Sequence, residues 1–125
     1  MKSKLAIILS LLFILIGCSS EEEKVINRFK SEEAGKYSIV VFDVNLPSAD
    51  YQKRINIDLV DANELWEKMH LLSFISLNEN TSQDYDYKEV FSLSDLPEIV
   101  VFDHKGIVLQ TNKFEELEEF FLKMK

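Results

Sequence analysis

Hydrophobic and polar positions follow the clearest pattern between residues 99 and 111, where they predict two strands joined by a tight turn. Residues 99–102 (Ile-Val-Val-Phe) are apolar and uncharged, which favours a strand buried on both faces. Gly106 lies in the predicted turn and can take a positive φ. The run from Ile107 to Thr111 is rich in β-branched residues and is predicted to return antiparallel to the first strand.

The C-terminal segment carries apolar residues at helical spacing. Asn112 and Glu115 are spaced like an N-cap residue and its reciprocal partner, so the pattern predicts a helix that begins there. Its other side is rich in glutamate, which is typical of a solvated helix face. The predicted apolar side consists of Phe114, Leu117, Phe120, Phe121 and Met124.

Residues 37–44 predict another strand. Its centre, residues 39–43, has the same Ile-Val-Val-Phe-Asp sequence as residues 99–103. One shared pentapeptide is too short to indicate a repeated domain. It does indicate that both strands have apolar neighbours on two faces, as the central strands of one sheet would.

Residues 45–60 support two assignments. Pro47 ends the preceding strand, because proline cannot continue the hydrogen-bond ladder of a sheet. Apolar residues then alternate with polar ones at Ile55, Ile57 and Leu59. This period of two predicts a half-buried strand, and a loop lying on the body of the protein is the alternative.

Three further elements are predicted before the final strand pair. Asp61 and Glu64 have capping-box spacing, so a helix is predicted to begin at Asp61. A strand over residues 71–77, a polar loop over 78–84 and a short helix over 85–91 follow. The predicted inward residues are Leu65, Trp66 and Met69 in the first helix and Tyr87, Val90 and Phe91 in the second.

The beginning of the chain has the layout of an export signal. Two lysines precede an uncharged apolar run over residues 5–16, which is too short for a permanent membrane span. The run ends in Leu-Ile-Gly-Cys at residues 15–18, which resembles the lipobox of bacterial lipoproteins. The resemblance implies a signal peptide over residues 1–17, and a covalent diacylglycerol on Cys18 with no other cofactor. An ordinary signal peptide followed by an incidental cysteine is the alternative.

Cys18 is the only cysteine in the sequence, which limits the chemistry of the rest of the chain. Without a second cysteine there is no intramolecular disulfide and no CxxC redox pair, so stability depends on a packed core. The chain after the signal peptide is one domain, of a size that buries roughly two thirds of its unfolded surface.

The mature chain is acidic, because removing Lys2 and Lys4 with the signal peptide changes the formal net charge from -8 to -10. This charge argues against a nucleic-acid partner, since the phosphate backbone favours Lys and Arg. It also argues against attachment to anionic lipid headgroups. The predicted membrane contact is therefore the lipid anchor alone.

Residues 18–36 are predicted to be the lipidated cysteine and an acidic tether with a short helix. Val25, Ile26 and Phe29 recur at helical spacing, and glutamates stand in the first turn, where the helix dipole favours them. The predicted helix spans residues 21–34, with a disordered spacer as the alternative. The folded domain is predicted to span residues 37–125.

From residue 37 to 124 the predicted order is β-α-β-α and then β-β-α. Residues 94–97 (Ser-Asp-Leu-Pro) precede a buried strand, and a turn, a strand and a helix follow. This arrangement resembles the thioredoxin-like fold, an α/β sandwich with a central mixed sheet and helices on both faces. The resemblance implies that Pro97 is cis and faces the active-site loop. The alternative is another small α/β sandwich, with Pro97 trans at the start of a strand.

The sequence departs from that family where redox chemistry would take place. Thioredoxin-like proteins carry their redox pair between the first strand and the first helix, which corresponds to residues 45–63, and this region has no cysteine. Thiol–disulfide exchange requires a thiolate. The sequence therefore predicts no redox activity for this chain, because fold alone does not assign function.

Two aspartates also resemble a known catalytic pattern. Asp43 and Asp103 each end a Val-Phe-Asp strand, as does the nucleophile of haloacid-dehalogenase-like phosphotransferases, but Val44 and Asn45 depart from that motif. A thioredoxin-like sheet would place the two strands side by side and antiparallel. The two aspartates are then predicted to lie at opposite edges of the sheet, too far apart for a shared acid–base pair.

Metal binding is not indicated, because His70 and His104 lack any metal-site spacing. Four other residues are candidate partner contacts on loops, namely Pro47, Tyr51, Tyr85 and Tyr87. Aromatic side chains commonly contact partners. Packing of these tyrosines against their own domain is the alternative.

The function predicted from these features is a non-catalytic binding or scaffold lipoprotein on the extracytoplasmic face of the cell membrane. It would use residues 45–60 and 78–95. Its size and anchoring are similar to those of peptidoglycan-associated lipoproteins of Gram-positive bacteria, so peptidoglycan or another envelope protein is the expected partner. The alternative is an enzyme of unrecognised type that uses Asp43, Asp61 or His70. An assembly subunit that pairs its sheet edge or a helix with another chain is a third possibility.

Overall fold

The computed structural model describes residues 20–78 and 85–124. The signal sequence, Cys18 and most of the predicted loop over residues 78–84 lie outside the described residues. The described elements are α1 (Ser20–Phe29), β1 (Tyr37–Asp43), α2 (Ala49–Lys53), a π-helix (Arg54–Asp61), a 3₁₀ helix (Trp66–Lys68), β2 (Met69–Ser76), α3 (Tyr87–Val90), β3 (Glu98–Phe102), β4 (Ile107–Thr111) and α4 (Phe114–Leu122).

Within the described residues the strands form one four-stranded mixed sheet in the order β2-β1-β3-β4. β1 is parallel to β2 and antiparallel to β3, and β3 is antiparallel to β4. The prediction that the two Val-Phe-Asp strands are antiparallel neighbours is confirmed. Asp43 and Asp103 therefore lie at opposite ends of the sheet.

β1 and β3 are the central strands because their side chains are buried on both faces. In β1, Ile39 and Val41 point into one core, whereas Val40 and Phe42 point into the other. All of β3 is buried. The two-sided burial predicted from the shared pentapeptide is confirmed.

Helices cover both faces of the sheet, so the fold is a mixed α/β structure with two cores. On one face, Ile55 and Leu59 of the π-helix pack with Leu117 and Phe121 of α4. On the other face, residues of α1 and α3 pack against β1 and β3 in an aromatic core. The buried aromatic residues of that second core are Phe29, Phe42, Tyr87, Phe91 and Phe102.

Residues 45–60 contain neither the predicted strand nor a plain loop, because α2 and the π-helix occupy residues 49–61. Ser48 starts the helix, where its Oγ accepts a hydrogen bond of 3.2 Å from the Tyr51 N–H. Ile55 and Leu59 are four residues apart and both buried, while Ile57 remains 49% exposed. The apolar residues at positions 55, 57 and 59 alternate as in a strand, but the buried pair is spaced by four residues, as in a helix.

The helix predicted to begin at Asp61 is wrong, because a helix ends there instead. Glu64 takes a positive φ of 55°, which breaks the helical path immediately after the π-helix. Trp66–Lys68 then forms only a 3₁₀ turn, and Met69 already belongs to β2. The predicted strand over residues 71–77 is thus confirmed with an earlier start.

α1 is shorter than the predicted helix over residues 21–34, because it ends at Phe29. Ser31 Oγ accepts a 3.0 Å hydrogen bond from the Glu33 N–H, a local bond that competes with helix continuation. Val25 and Phe29 are buried in the aromatic core. The alternative of a disordered spacer is therefore wrong for this segment. A domain that began at residue 37, as predicted, would exclude α1 from the core in which it packs.

The final helix begins at Phe114, without the predicted Asn112 cap. Lys113 is the N-cap residue and makes no side-chain capping bond. Thr111 Oγ1 instead accepts a 3.0 Å hydrogen bond from the Lys113 N–H, and this bond turns the chain from β4 into α4. The apolar side is as predicted at Phe114, Leu117 and Phe121, which are buried. Phe120 and Met124 pack against the edge of the same core.

Candidate functional site

The carboxyl end of β1 meets the amino end of β3 at one end of the sheet. Phe42 is the last residue of β1 in the ladder and pairs with Glu98. Pro97 directly precedes Glu98, so it lies at this same end of the sheet. The Leu96–Pro97 peptide bond is cis, the isomer that the resemblance implies.

The loop after β1 displays two apolar side chains at this end of the sheet. Val44 is 48% exposed and Leu46 is 58% exposed. The loop is nevertheless anchored, because the Val44 carbonyl accepts hydrogen bonds from Asn78 N–H at 2.8 Å and from Ser76 Oγ at 3.1 Å. Pro47, which follows Leu46 in the sequence, is buried. We name the exposed pair Val44 and Leu46 the loop patch.

A carboxylate and a phenol lie beside the loop patch. Asp43 Oδ1 accepts a 2.8 Å hydrogen bond from the Val44 N–H. The Tyr51 hydroxyl is buried and has no hydrogen-bond partner among the described residues. Burial raises the pKa of Tyr51 above its ordinary value of 10.0, the Asp43 charge raises it further, and Arg54 opposes the change. Tyr51 is therefore a neutral donor at physiological pH, with no acceptor of its own.

We expect Tyr51→Phe to make stability less sensitive to high pH. The folded protein keeps the Tyr51 proton to a higher pH than the unfolded chain does, so above about pH 10 the unfolded chain binds fewer protons. The free energy of unfolding must then fall as the pH rises through this window. Urea unfolding at pH 7 and at pH 10.5 measures the effect.

In Tyr51→Phe this fall should be smaller than in the wild type. At pH 7 the substitution should change the free energy of unfolding by less than about 1 kcal/mol, since it removes a hydroxyl without a partner. A Tyr51→Phe variant that lost stability as steeply as the wild type above pH 10 would show that the buried phenol does not contribute to this pH dependence.

Glu98 follows the cis-proline and is only 7% exposed. Its Oε2 accepts a 2.5 Å hydrogen bond from Gln110 Nε2, which also donates to the Phe91 carbonyl at 2.7 Å. A longer bond of 3.4 Å joins the Ser94 N–H to Glu98 Oε1. These bonds tie the beginning of β3 to β4 and to the segment after α3. Glu98 thus holds the cis-proline segment in position.

The four candidate contact residues do not lie together on one surface. Tyr51 packs against the core beneath the π-helix and α4, whereas Tyr85 and Tyr87 pack on the opposite face of the sheet. Tyr87 is 5% exposed, and Pro47 is also buried. Packing against their own domain therefore describes Tyr87 and Pro47, whereas Tyr51 and Tyr85 pack against the cores and remain partly exposed.

The residues of the alternative enzymatic prediction are not brought together. Asp43 pairs with Ser76 at the end of β2, whereas His70 is near the beginning of β2 and so lies toward the other end of the sheet. Asp61 lies at the end of the π-helix, where its Oδ1 accepts a 3.2 Å hydrogen bond from Trp66 Nε1. Trp66 was predicted to point into the core, but its side chain is 48% exposed.

Asp103 has a structural position in the turn between β3 and β4. Its Oδ1 accepts hydrogen bonds from the Lys105 N–H at 2.7 Å and the Gly106 N–H at 3.0 Å. Over the described part of the chain, no three His, Cys, Asp or Glu side chains are grouped as metal ligands. Over the same residues, no helix is long and apolar enough to cross a bilayer.

The sequence reasoning missed the residues that give this end of the sheet its character. Val44 and Leu46 lie in a segment with no periodic pattern, so their exposure had no signal beyond the strand break at Pro47. Glu98 and Gln110 looked like ordinary polar residues of two strands. Their pairing depends on the register between β3 and β4, which places Gln110 opposite Val100, next but one to Glu98.

The comparisons with known proteins bear on the fold alone. No protein-family model matches the chain, and no curated protein matches it. One solved structure, described as the crystal structure of a designed protein, is similar with a TM-score of 0.51 and 13% sequence identity. The similarity covers 82% of this chain and 90% of the designed protein. It supports a mixed α/β fold and carries no information on function.

Proposed function

We propose that this protein is an envelope lipoprotein whose thioredoxin-like, redox-inactive domain binds another envelope protein through the loop patch. The observation that carries the proposal is the exposure of Val44 and Leu46 on an anchored loop at the carboxyl end of β1. Contiguous exposed apolar surface marks partner-binding sites, and Val44 and Leu46 are exposed apolar residues two positions apart on this loop.

The strand order and directions support the thioredoxin-like assignment. The order β2-β1-β3-β4, with β1 and β2 parallel and β3 antiparallel to both neighbours, follows the β-α-β and β-β-α units expected from that resemblance. Helices on both faces agree with the same arrangement. The thioredoxin-like family is therefore the proposed relationship for the fold.

A binding role, rather than redox catalysis, follows from the residues at the beginning of α2. The family carries its redox pair there, and this chain has Ser-Ala-Asp-Tyr at residues 48–51. Ser48 caps the helix, and the Tyr51 hydroxyl is buried. Neither oxygen can replace a thiolate in disulfide exchange. The proposed domain therefore lacks the family's redox chemistry.

The location of the protein is proposed from the lipobox-like residues 15–18. A diacylglyceryl group on Cys18 would hold the domain at the extracytoplasmic face of the membrane, with the chain between Cys18 and α1 as a very short connection. The domain would then remain close to the bilayer. We infer that its partner is also found near the membrane surface.

A protein partner fits the loop patch better than peptidoglycan does. Val44 and Leu46 offer aliphatic contacts and no hydrogen-bonding side chains, and burial of such groups favours apolar partners. Peptidoglycan, the other partner expected from the sequence, is rich in polar sugar groups. Sedimentation of the protein with purified cell wall distinguishes the two.

Crosslinking on intact cells tests this proposal. A photo-crosslinking amino acid at position 45, between the two patch residues, should capture a discrete protein product. Leu46→Asp in the same background should reduce this product about tenfold or more, because a charge in a desolvated contact is costly. Mass spectrometry of the product identifies the partner.

Ile57→Asp is the matched control, since Ile57 is an exposed aliphatic residue that belongs to the π-helix and not to the loop patch. It should leave the crosslinked product at the wild-type level. Equal crosslinking in the Leu46→Asp and wild-type proteins would contradict the proposed surface. Retention of the full chain by cell wall, equally in both variants, would favour peptidoglycan through another surface.

A further inference from the structure

β2 forms one edge of the sheet and is its longest described strand. It runs over eight residues, Met69–Ser76, whereas β4 at the opposite edge has five. Within residues 20–78 and 85–124, only β1 pairs with β2, so its outer backbone groups have no strand partner there. An open edge is a template for pairing with another chain.

From Leu71 to Ser76, the edge of β2 lacks the features that normally prevent such pairing. Natural edge strands are protected by Lys, Pro, bulges or short length, and β2 contains no charged residue, no proline and no glycine. The irregularity in its pairing with β1 is confined to its first residues. Its apolar residues Leu71, Leu72, Phe74 and Ile75 are all partly exposed.

The uncharged edge can accept a second copy of this chain, because two β2 strands meet there without like charges opposite each other. The formal net charge of -8 makes two copies repel each other elsewhere, so this edge is where they approach at the lowest electrostatic cost. From Met69 to Asn78 the sequence has no Asp, Glu, Lys or Arg. A β2-to-β2 contact therefore brings together an uncharged surface from each copy.

The sequence of β2 is also complementary to itself. A two-fold axis perpendicular to the sheet gives an antiparallel pair in which each residue faces one from the same side of the sheet. With the axis at Ser73, Leu72 of one copy lies opposite Phe74 of the other, and Leu71 lies opposite Ile75. Such apolar cross-strand pairs each contribute roughly 0.2–1 kcal/mol.

We propose that the protein forms a symmetric dimer through antiparallel pairing of β2, which joins the two sheets into one. The interface runs along the outer edge of β2. The proposal does not depend on the identity of the loop-patch partner. It predicts that both Ser73 side chains meet at the two-fold axis.

A cysteine at position 73 tests the register in the full chain. Residues directly opposite in an antiparallel pair have Cβ atoms about 4.5–5.5 Å apart, which is close to the range that a disulfide bridges. Under mild oxidation in isolated membranes, Ser73→Cys should run mostly as a covalent dimer on non-reducing gels. Cys18 is present in every variant, so the wild type measures any linkage through that residue.

Val108→Cys is the matched control, because Val108 is an exposed residue on β4, the opposite edge of the sheet. It should stay largely monomeric. Leu72→Lys should shift the detergent-solubilised full chain from dimer to monomer in sedimentation, with an unchanged circular dichroism spectrum. A wild type that sediments as a monomer at all concentrations would overturn the proposal. Equal linkage through positions 73 and 108, or capture of a different protein at position 73, would do the same.

Discussion

Replacing Phe42 with alanine is expected to lower the free energy of unfolding by about 3–5 kcal/mol. Phe42 is fully buried in β1, a central strand. Its ring centroid lies 5.3 Å from that of Tyr87 and 5.6 Å from that of Phe91. Truncation therefore removes contacts that join the sheet to α3 and leaves a cavity between two elements that cannot easily collapse.

Urea unfolding of the full chain, followed by circular dichroism, measures this loss. A domain of this size is stabilised by only about 5–15 kcal/mol, so the variant should unfold at a much lower urea concentration. Leu122→Ala is the control, because Leu122 is an exposed helix residue, and surface changes usually stay within about 0.5 kcal/mol. A Phe42→Ala loss below about 1 kcal/mol would contradict the tight aromatic core described here.

The sheet was largely predictable from the sequence, because burial on two faces leaves a strong local signal. The uncharged runs in β1 and β3 could be recognised without knowing their partners, and the Gly106 turn fixed the connection of β3 to β4. The prediction that β1 and β3 are adjacent and antiparallel came from the family resemblance. The register, which opposes Phe42 and Glu98, is set by packing between distant segments.

The helical residues 49–61 show where local pattern fails. Ile55, Ile57 and Leu59 alternate as a strand would, yet only the first and third are buried. A helix also places residues four apart on one face, so the same three positions fit both structures. The sequence signal that distinguishes them is Ser48, a good N-cap residue directly after Pro47.

The candidate site was less predictable than the fold because it depends on exposure. Tyrosines attract attention as partner contacts, but Tyr87 fills the aromatic core, and the aliphatic Val44 and Leu46 are displayed instead. No rule of composition separates these outcomes. They follow from the anchoring of the Val44 carbonyl by the end of β2, a contact between residues 32 positions apart.

Changing Cys18 to serine is expected to abolish lipid attachment completely. The resemblance of residues 15–18 to a lipobox implies a diacylglyceryl thioether on Cys18 and cleavage before this residue by a peptidase that reads the cysteine. Serine has no thiol to form the thioether, so the variant should incorporate no labelled fatty acid and should retain residues 1–17. Metabolic labelling, followed by intact-mass measurement of the purified chain, detects both effects.

Ser19→Ala is the matched control, since it changes the neighbouring side chain and keeps the thiol. It should be labelled and cleaved like the wild type, with Cys18 as the first residue of the mature chain. Because the acidic domain gains little from anionic lipid, the processed wild type should remain with the membrane at high salt, where electrostatic attachment would be screened. A wild-type chain that is cleaved, unlabelled and free of the membrane while Cys18 is intact would contradict lipidation and would leave the loop patch without its proposed place at the membrane surface.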